Sequence, residues 1–193
     1  SKLTAQTGVN IRVYGFVTCE GMPDPIDYRD HPERWQPGDF PMDFEALKKK
    51  LPPNAELILG DVSETATSFV ESLPQGCRIG FVSVDVDYYS STVRALKILE
   101  REPEHYLPIL PIYLDDISDV MFNNSCGELL AVNEFNDRNK FRKIEYDPFL
   151  PTRRFFRRAT WIRKLHYFHV LDHGVRTVKQ AARETAVLEN PYI

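Results

Sequence analysis

Two short apolar runs, each ending in a pair of aspartates, restrict this chain more than anything else in it. Ile79 to Val84 is followed by Asp85 and Asp87, and Ile109 to Leu114 by Asp115 and Asp116. Both runs are too short for a buried helix and rich in β-branched and aromatic residues, so they read as buried parallel strands. After the first, Ser90-Ser91-Thr92 opens a helix whose Val93, Leu96 and Leu99 recur at helical spacing and would pack it back on the sheet. A strand–helix–strand crossover makes such strands parallel neighbours, with ends about 5 Å apart. Ligands of open α/β sheets sit beyond the carboxyl ends of the strands, and the acids converge there. Carboxylates so close raise one another's pKa unless a cation neutralises them, and a hard divalent ion bound by oxygen is the natural one. A single Asp at such a place more often caps a helix. Four together favour a site.

The rest of the chain supplies the other layers. Ile11–Val17 and Glu56–Leu59 are expected strands, the second ending at Gly60-Asp61; Asp43–Leu51 (capped by Asp43), Val62–Leu73 and Asn124–Arg138 are expected helices. Phe141–Tyr146 and Thr160–Leu165 are expected to pair as an antiparallel hairpin, and Arg176–Leu188 to form an exposed C-terminal helix. The stretch from Met22 to Asp43 holds five prolines, and a loop of that length is functional or mobile when it occurs. Trp35 and Phe40 could close over a ligand there, or simply anchor the excursion. The expectation is one α/β domain over residues 1–193, mostly parallel, with a C-terminal antiparallel pair and a helical tail over 166–193.

Composition narrows the function. The formal charge is −4, against nucleic acid as main partner, and the start lacks an apolar signal core, so the chain reads as cytoplasmic with no membrane partner. Cys19, Cys77 and Cys126, an odd set without a CxxC, fit reduced thiols. His166, His169 and His173 would share a face if helical, which is weak evidence for chelation. Arg153, Arg154, Arg157 and Arg158, interleaved with Phe155 and Phe156, read first as a solvated hairpin.

Asp-x-Asp at a strand end serves haloacid-type phosphatases, which place Thr or Val where Tyr89 stands here, nucleotide-sugar glycosyltransferases, and metal-assisted methyltransferases. The series GFVTCEGMPDP, LGDVSET, IGFVSVDVDYYSSTVRALKIL, PIYLDDI, CGELLAVNEF and ATWIRKL resembles, in that order, the macrocin O-methyltransferase family. These are class I, S-adenosylmethionine-dependent enzymes that methylate sugar hydroxyls of natural products with magnesium. The likeness runs from about Arg12 to Leu165. It implies a Rossmann-like sheet, metal ligands at Asp85, Asp115 and Asp116, and a role for Asp85 at both the cofactor and the reacting hydroxyl. Asp61 falls in the region near the adenine. Where the family carries a ribose-binding acid, this chain has Val17, with Glu20 as the nearest replacement. The family's glycine-rich first strand lies ahead of residues like 11–17, where the ten residues present hold one glycine, Gly8. The sheet is therefore expected to lack that strand at the N-terminal side. The slot would be filled by residues 1–10, by a partner chain, or by direct pairing of 11–17 with 79–85.

Three functions follow as expectations: an O-methyltransferase acting on a small-molecule hydroxyl, a non-catalytic methyltransferase-like assembly module, and a glycosyltransferase using Asp85 and Asp87. Homo-oligomerisation is compatible with each.

Overall fold

The computed structural model describes residues 8–117, 123–153 and 159–178. Among these described residues, six strands fall into two sheets. Strand β1 (Val13–Val17) pairs in parallel with β2 (Ala55–Leu59), Val13 opposite Ala55 and Val17 opposite Leu59. The second sheet has the order β3-β4-β6-β5, from β3 (Val82–Val84), β4 (Ile109–Leu114), β5 (Arg142–Tyr146) and β6 (Leu165–Val170). β3 and β4 are parallel, and β6 runs antiparallel to both β4 and β5.

β4 is central, and its alternation is clean. Leu110, Ile112 and Leu114 are wholly buried on one face, which is the period of two that a strand imposes. Against that face pack Val84, Ile144, Phe168 and Val170 of the sheet, and Ala131, Val132 and Phe135 of helix α4 (Gly127–Arg138). Helix α2 (Val62–Ser72) adds Ala66 and Val70, and also carries Phe69 against the rings of Tyr14 and Phe16 on β1. The two sheets thus share one apolar cluster through α2. Asp61 starts α2 by accepting the Ser63 N–H at 2.7 Å, and Asp43 starts α1 (Phe44–Lys50) by accepting the Ala46 N–H at 2.9 Å.

Direct pairing of residues 11–17 with 79–85 does not occur: β1 bonds to β2, and β3 to β4. Each keeps one edge unpaired by a strand among the described residues. Ile79 bridges to Tyr106 instead, through Ile79 N–H to His105 C=O (2.8 Å) and Leu107 N–H to Ile79 C=O (3.1 Å). β1 and β3 thus belong to separate sheets among the described residues.

Two expectations need correction. The last strand is not Thr160–Leu165: Trp161–Lys164 is a short helix, α5, and the strand is Leu165–Val170. Residues 166–170, expected to begin a helical tail, are therefore strand. The positions of LHYFHV alternate, with His166, Phe168 and Val170 inside, which is the period of two of a strand. The helix expected over 176–188 has its first residue in the 3-10 turn Gly174–Arg176, and its part beyond 178 lies outside the described residues.

The stretch 22–43 is closed and pinned. Met22 N–H donates to Asp39 C=O and Gly38 N–H to Met22 C=O, both at 2.8 Å, so the loop has a bonded neck. Gly21 sits in that neck at φ +84°, where a Cβ would lie 2.6 Å from Asp39 O, so no other residue fits. Trp35 and Phe40 meet edge to face at 5.5 Å, anchoring the excursion by its own aromatics.

Candidate metal centre at the carboxyl ends of β3 and β4

Val84 lies opposite Leu114, so the residues that follow them, Asp85 and Asp115, leave the sheet side by side. The chain then turns through the 3-10 segment Asp115–Ile117 and brings Asp116 in from the same strand end. One carboxylate oxygen from each of Asp85, Asp115 and Asp116 lies within 4.8 Å of the other two. A divalent ion with bonds of about 2.1–2.4 Å joins oxygens up to roughly 4–5 Å apart, so the triad matches the size of an ion.

The four acids differ in environment. Asp115 is held below the usual carboxylate range, first by the Lys164 ammonium, 2.8 Å from its Oδ1, and also by the Tyr113 hydroxyl, which donates to the same oxygen at 2.8 Å. Asp116 is pushed up to about 6 by burial and then by the charges of Asp87, Asp115 and Asp85. Asp85 is raised by burial and by Asp115, with Lys164 opposing. Asp87 is raised by burial and by Asp85, with Arg34 opposing. Anions that hold one another's protons on are a site short of positive charge. Lys164 supplies part of it.

Beneath the triad lies Glu128, wholly buried in the first turn of α4. Its Oε2 accepts the Asp116 N–H at 2.7 Å, and burial pushes its carboxyl up to about 9. Glu128 Oε1 and Asp116 Oδ2 are buried without a hydrogen-bond partner. The sequence reading missed Glu128, although a signal exists: it falls on the stripe with Ala131, Val132 and Phe135, where an acid is out of place. Lys164 was also missed, because its position on a short helix after Trp161 depends on the misplaced strand.

Asp87 belongs to neither role first open to it. Its carboxylate is not in the triad, and it does not cap the next helix, α3 (Tyr89–Ala95). Its backbone turns through φ +56°, an uncommon conformation for a residue with a side chain, and this reverses the chain from strand to helix. The cap of α3 comes from the loop: Asp30, 1% exposed, accepts the Ser90 N–H and the Ser90 hydroxyl, each at 2.8 Å, and the Ile26 N–H at 2.8 Å. Beside it the Arg29 guanidinium stacks over the Tyr89 ring at 4.4 Å and bonds its hydroxyl at 3.1 Å, which donates onward to Glu134 at 2.6 Å.

Glu20 and Asp61 follow the carboxyl ends of β1 and β2 in the chain. Glu20 is exposed; Asp61 caps α2 and pairs with Arg94 at 3.4 Å. The histidine reading is overturned: His166 and His169 stand three apart on a strand and so point to opposite faces, with His166 buried against Tyr146. Arg154, Arg157 and Arg158 lie outside the described residues.

No protein-family model matches the chain, and no curated protein sequence does. Among solved structures it is similar to the calicheamicin methyltransferase CalS11, with a TM-score of 0.52 and 20% identity over 82% of this chain and 60% of that one. It is similar too to the O-methyltransferase NovP, with a TM-score of 0.56 and 16% identity over 86% of this chain and 63% of that one. The fold is a methyltransferase fold. The chain spans about three-fifths of the length of these structures. Among the described residues no helix is long and apolar enough to cross a membrane.

Proposed function

We propose that this chain is an S-adenosylmethionine-dependent, magnesium-assisted O-methyltransferase acting on a hydroxyl of a sugar or natural-product small molecule. The observation that carries it is the meeting of Asp85, Asp115 and Asp116 within 4.8 Å at adjacent strand ends of a methyltransferase fold. The donor set, all carboxylate oxygen with a buried unpartnered Oδ2 on Asp116, fits a hard cation. Magnesium bound there would lower the pKa of an acceptor hydroxyl and orient it.

The chain's own groups do the positioning. Tyr113 and Lys164 fix the Asp115 carboxylate from one side. Glu128 fixes Asp116 by accepting its backbone N–H, and in the ion-free site burial pushes its carboxyl up to about 9. Asp85, partly desolvated but still exposed to solvent, stays open to an acceptor as well as to the ion. Glu20 and Asp61 take the cofactor's ribose and adenine ends. The loop 22–43, docked by Asp30 on α3, brings the Arg34 charge to bear on Asp87.

The test is calorimetric binding of S-adenosylhomocysteine with and without magnesium. Binding in the micromolar range, lost in Glu20→Ala, supports the enzyme. The unpaired edges of β1 and β3 favour a second reading, a methyltransferase-like assembly module without catalysis. That reading expects no cofactor binding under either condition. A glycosyltransferase is less favoured, since Asp85 clusters with Asp115 and Asp116 and not with Asp87.

A further inference from the structure

Two acids of the triad are tied to helices, and one hydroxyl joins those helices. Helix α3 begins at Tyr89, shortly after Asp85 in the chain. The turn between them is tight: Asp87 takes φ +56°, and the Tyr88 N–H donates to the Val86 C=O at 2.6 Å. Little slack is left, so a shift of the first turn of α3 is passed to Asp85. On the other side, Glu128 in the first turn of α4 accepts the Asp116 N–H at 2.7 Å. A shift of α4 is passed to Asp116 in the same way.

Tyr89 links the two. Its hydroxyl donates to Glu134 Oε2 at 2.6 Å, the length of a charge-assisted O–H···O bond. Glu134 follows Glu128 on the same helix, about 9 Å further along at ~1.5 Å per residue. The hydroxyl also accepts from an Arg29 terminal nitrogen at 3.1 Å, and that guanidinium lies over the ring at 4.4 Å. Asp27 grips Arg29 through Nε at 2.9 Å and through the other terminal nitrogen at 2.8 Å, which fixes its direction. The Tyr89 ring itself packs against the apolar core. The phenol is thus held between a cation of the loop 22–43 and an anion of α4, with its one donor and an acceptor site both used.

We propose that Tyr89 is a positioning residue of the metal centre: through α3 and α4 its hydroxyl sets the separation of Asp85 from Asp116. It touches no reacting atom, and the inference rests on the reading of the triad as a magnesium site. Magnesium demands near-octahedral bonds of about 2.0–2.1 Å, whereas calcium accepts a looser shell at about 2.3–2.6 Å. Without the bracket, Asp85 and Asp116 are free to spread under their mutual repulsion. A wider site penalises the smaller, stricter ion first.

The test is calorimetric titration of the chelator-treated whole chain with magnesium and, separately, with calcium. Wild type is compared with Tyr89→Phe, Glu134→Ala, their double variant and Glu134→Gln. Tyr89→Phe keeps the ring beneath Arg29 and in the core, and removes the hydroxyl alone. Its magnesium affinity should fall about tenfold and its calcium affinity less than about threefold, so the ratio of the two shifts. Glu134→Ala should shift the ratio equally and the double variant no further, because each change removes the same bond. Glu134→Gln keeps an oxygen acceptor for the hydroxyl and should retain the wild-type ratio. An unchanged ratio in Tyr89→Phe, whether neither affinity moves or both fall alike, would overturn the inference while a magnesium-binding wild type leaves the site reading in place. A wild type that binds no magnesium would overturn that reading, and the inference with it.

Discussion

Asp30 caps a helix sixty residues away: its carboxylate accepts both the backbone N–H and the hydroxyl of Ser90, each at 2.8 Å. The first turn of α3 follows directly on Asp87, so the same contact fixes the loop 22–43 and the strand end that carries the acids. Helix N-termini leave unsatisfied N–H groups, and Tyr88 at the N-cap has no side-chain acceptor to offer.

Asp30→Ala should therefore cost about 2–3 kcal/mol, the range for losing buried hydrogen bonds to a charged group. The loss should appear first as proteolytic cleavage within residues 22–43, before global unfolding. Urea midpoints and timed digestion measure the two effects. A variant as resistant as wild type would mean that the bonded neck at Met22, Gly38 and Asp39 and the Trp35–Phe40 contact hold the loop without Asp30.

Lys164 stands where it competes with a cation for Asp115. In Lys164→Met the ammonium is gone and the acids repel one another without relief. The ion-free variant should melt lower than wild type and regain more on adding magnesium, with half-saturation at a several-fold lower concentration. Melting temperature against magnesium concentration reads both effects. Weaker magnesium response in Lys164→Met would show instead that the lysine's role is to hold Asp115 in its ligating orientation.

Glu128 sets a pH dependence of defined sign. Its carboxyl is pushed up to about 9 in the folded chain, from an ordinary value of 4.5, and Asp116 to about 6 from 3.8. Between the unfolded and folded values the folded state binds more protons, so stability falls as pH rises. In chelator-treated protein the fall should begin near pH 4, as Asp116 contributes, and continue to about 9 through Glu128. Glu128→Gln keeps the shape and the acceptor for the Asp116 N–H but cannot ionise. Its urea midpoint should stay flatter from pH 6 to 9, the interval between the two folded values. An equal slope in both proteins would assign the pH dependence to other groups.

Much of this was legible in the sequence because it depends on local periodicity. The runs at 79–84 and 109–114 announce strands β3 and β4, their parallel pairing follows from the crossover, and the meeting of Asp85 with Asp115 follows from the pairing. Asp43 as a helix cap was legible for the same reason. What was not legible depends on contacts distant in sequence. Nothing around Asp30 tells that it caps α3, since its partner is Ser90. Lys164 meets Asp115 only because the last strand starts at Leu165, and Trp161-Ile162-Arg163-Lys164 suits a strand as well as a helix. Asp87 reads in the sequence as a fourth member of the acidic site, with a helix cap as the alternative, and it is neither: its backbone turns through a positive φ and its carboxylate stays out of the triad.

The central claim is that Asp85, Asp115 and Asp116 are ion ligands, and it is tested most directly by melting temperature against magnesium for wild type, Asp115→Ala and Asp87→Ala. At a hundredfold excess over the dissociation constant, one bound ion adds about 2.7 kcal/mol, or roughly 5–10 °C for a chain of this size. Wild type should show that rise, Asp115→Ala should lose most of it while starting from a folded state, and Asp87→Ala should keep it. A wild-type curve flat to millimolar magnesium would contradict the account, leaving the acids without an ion and the non-catalytic reading in front.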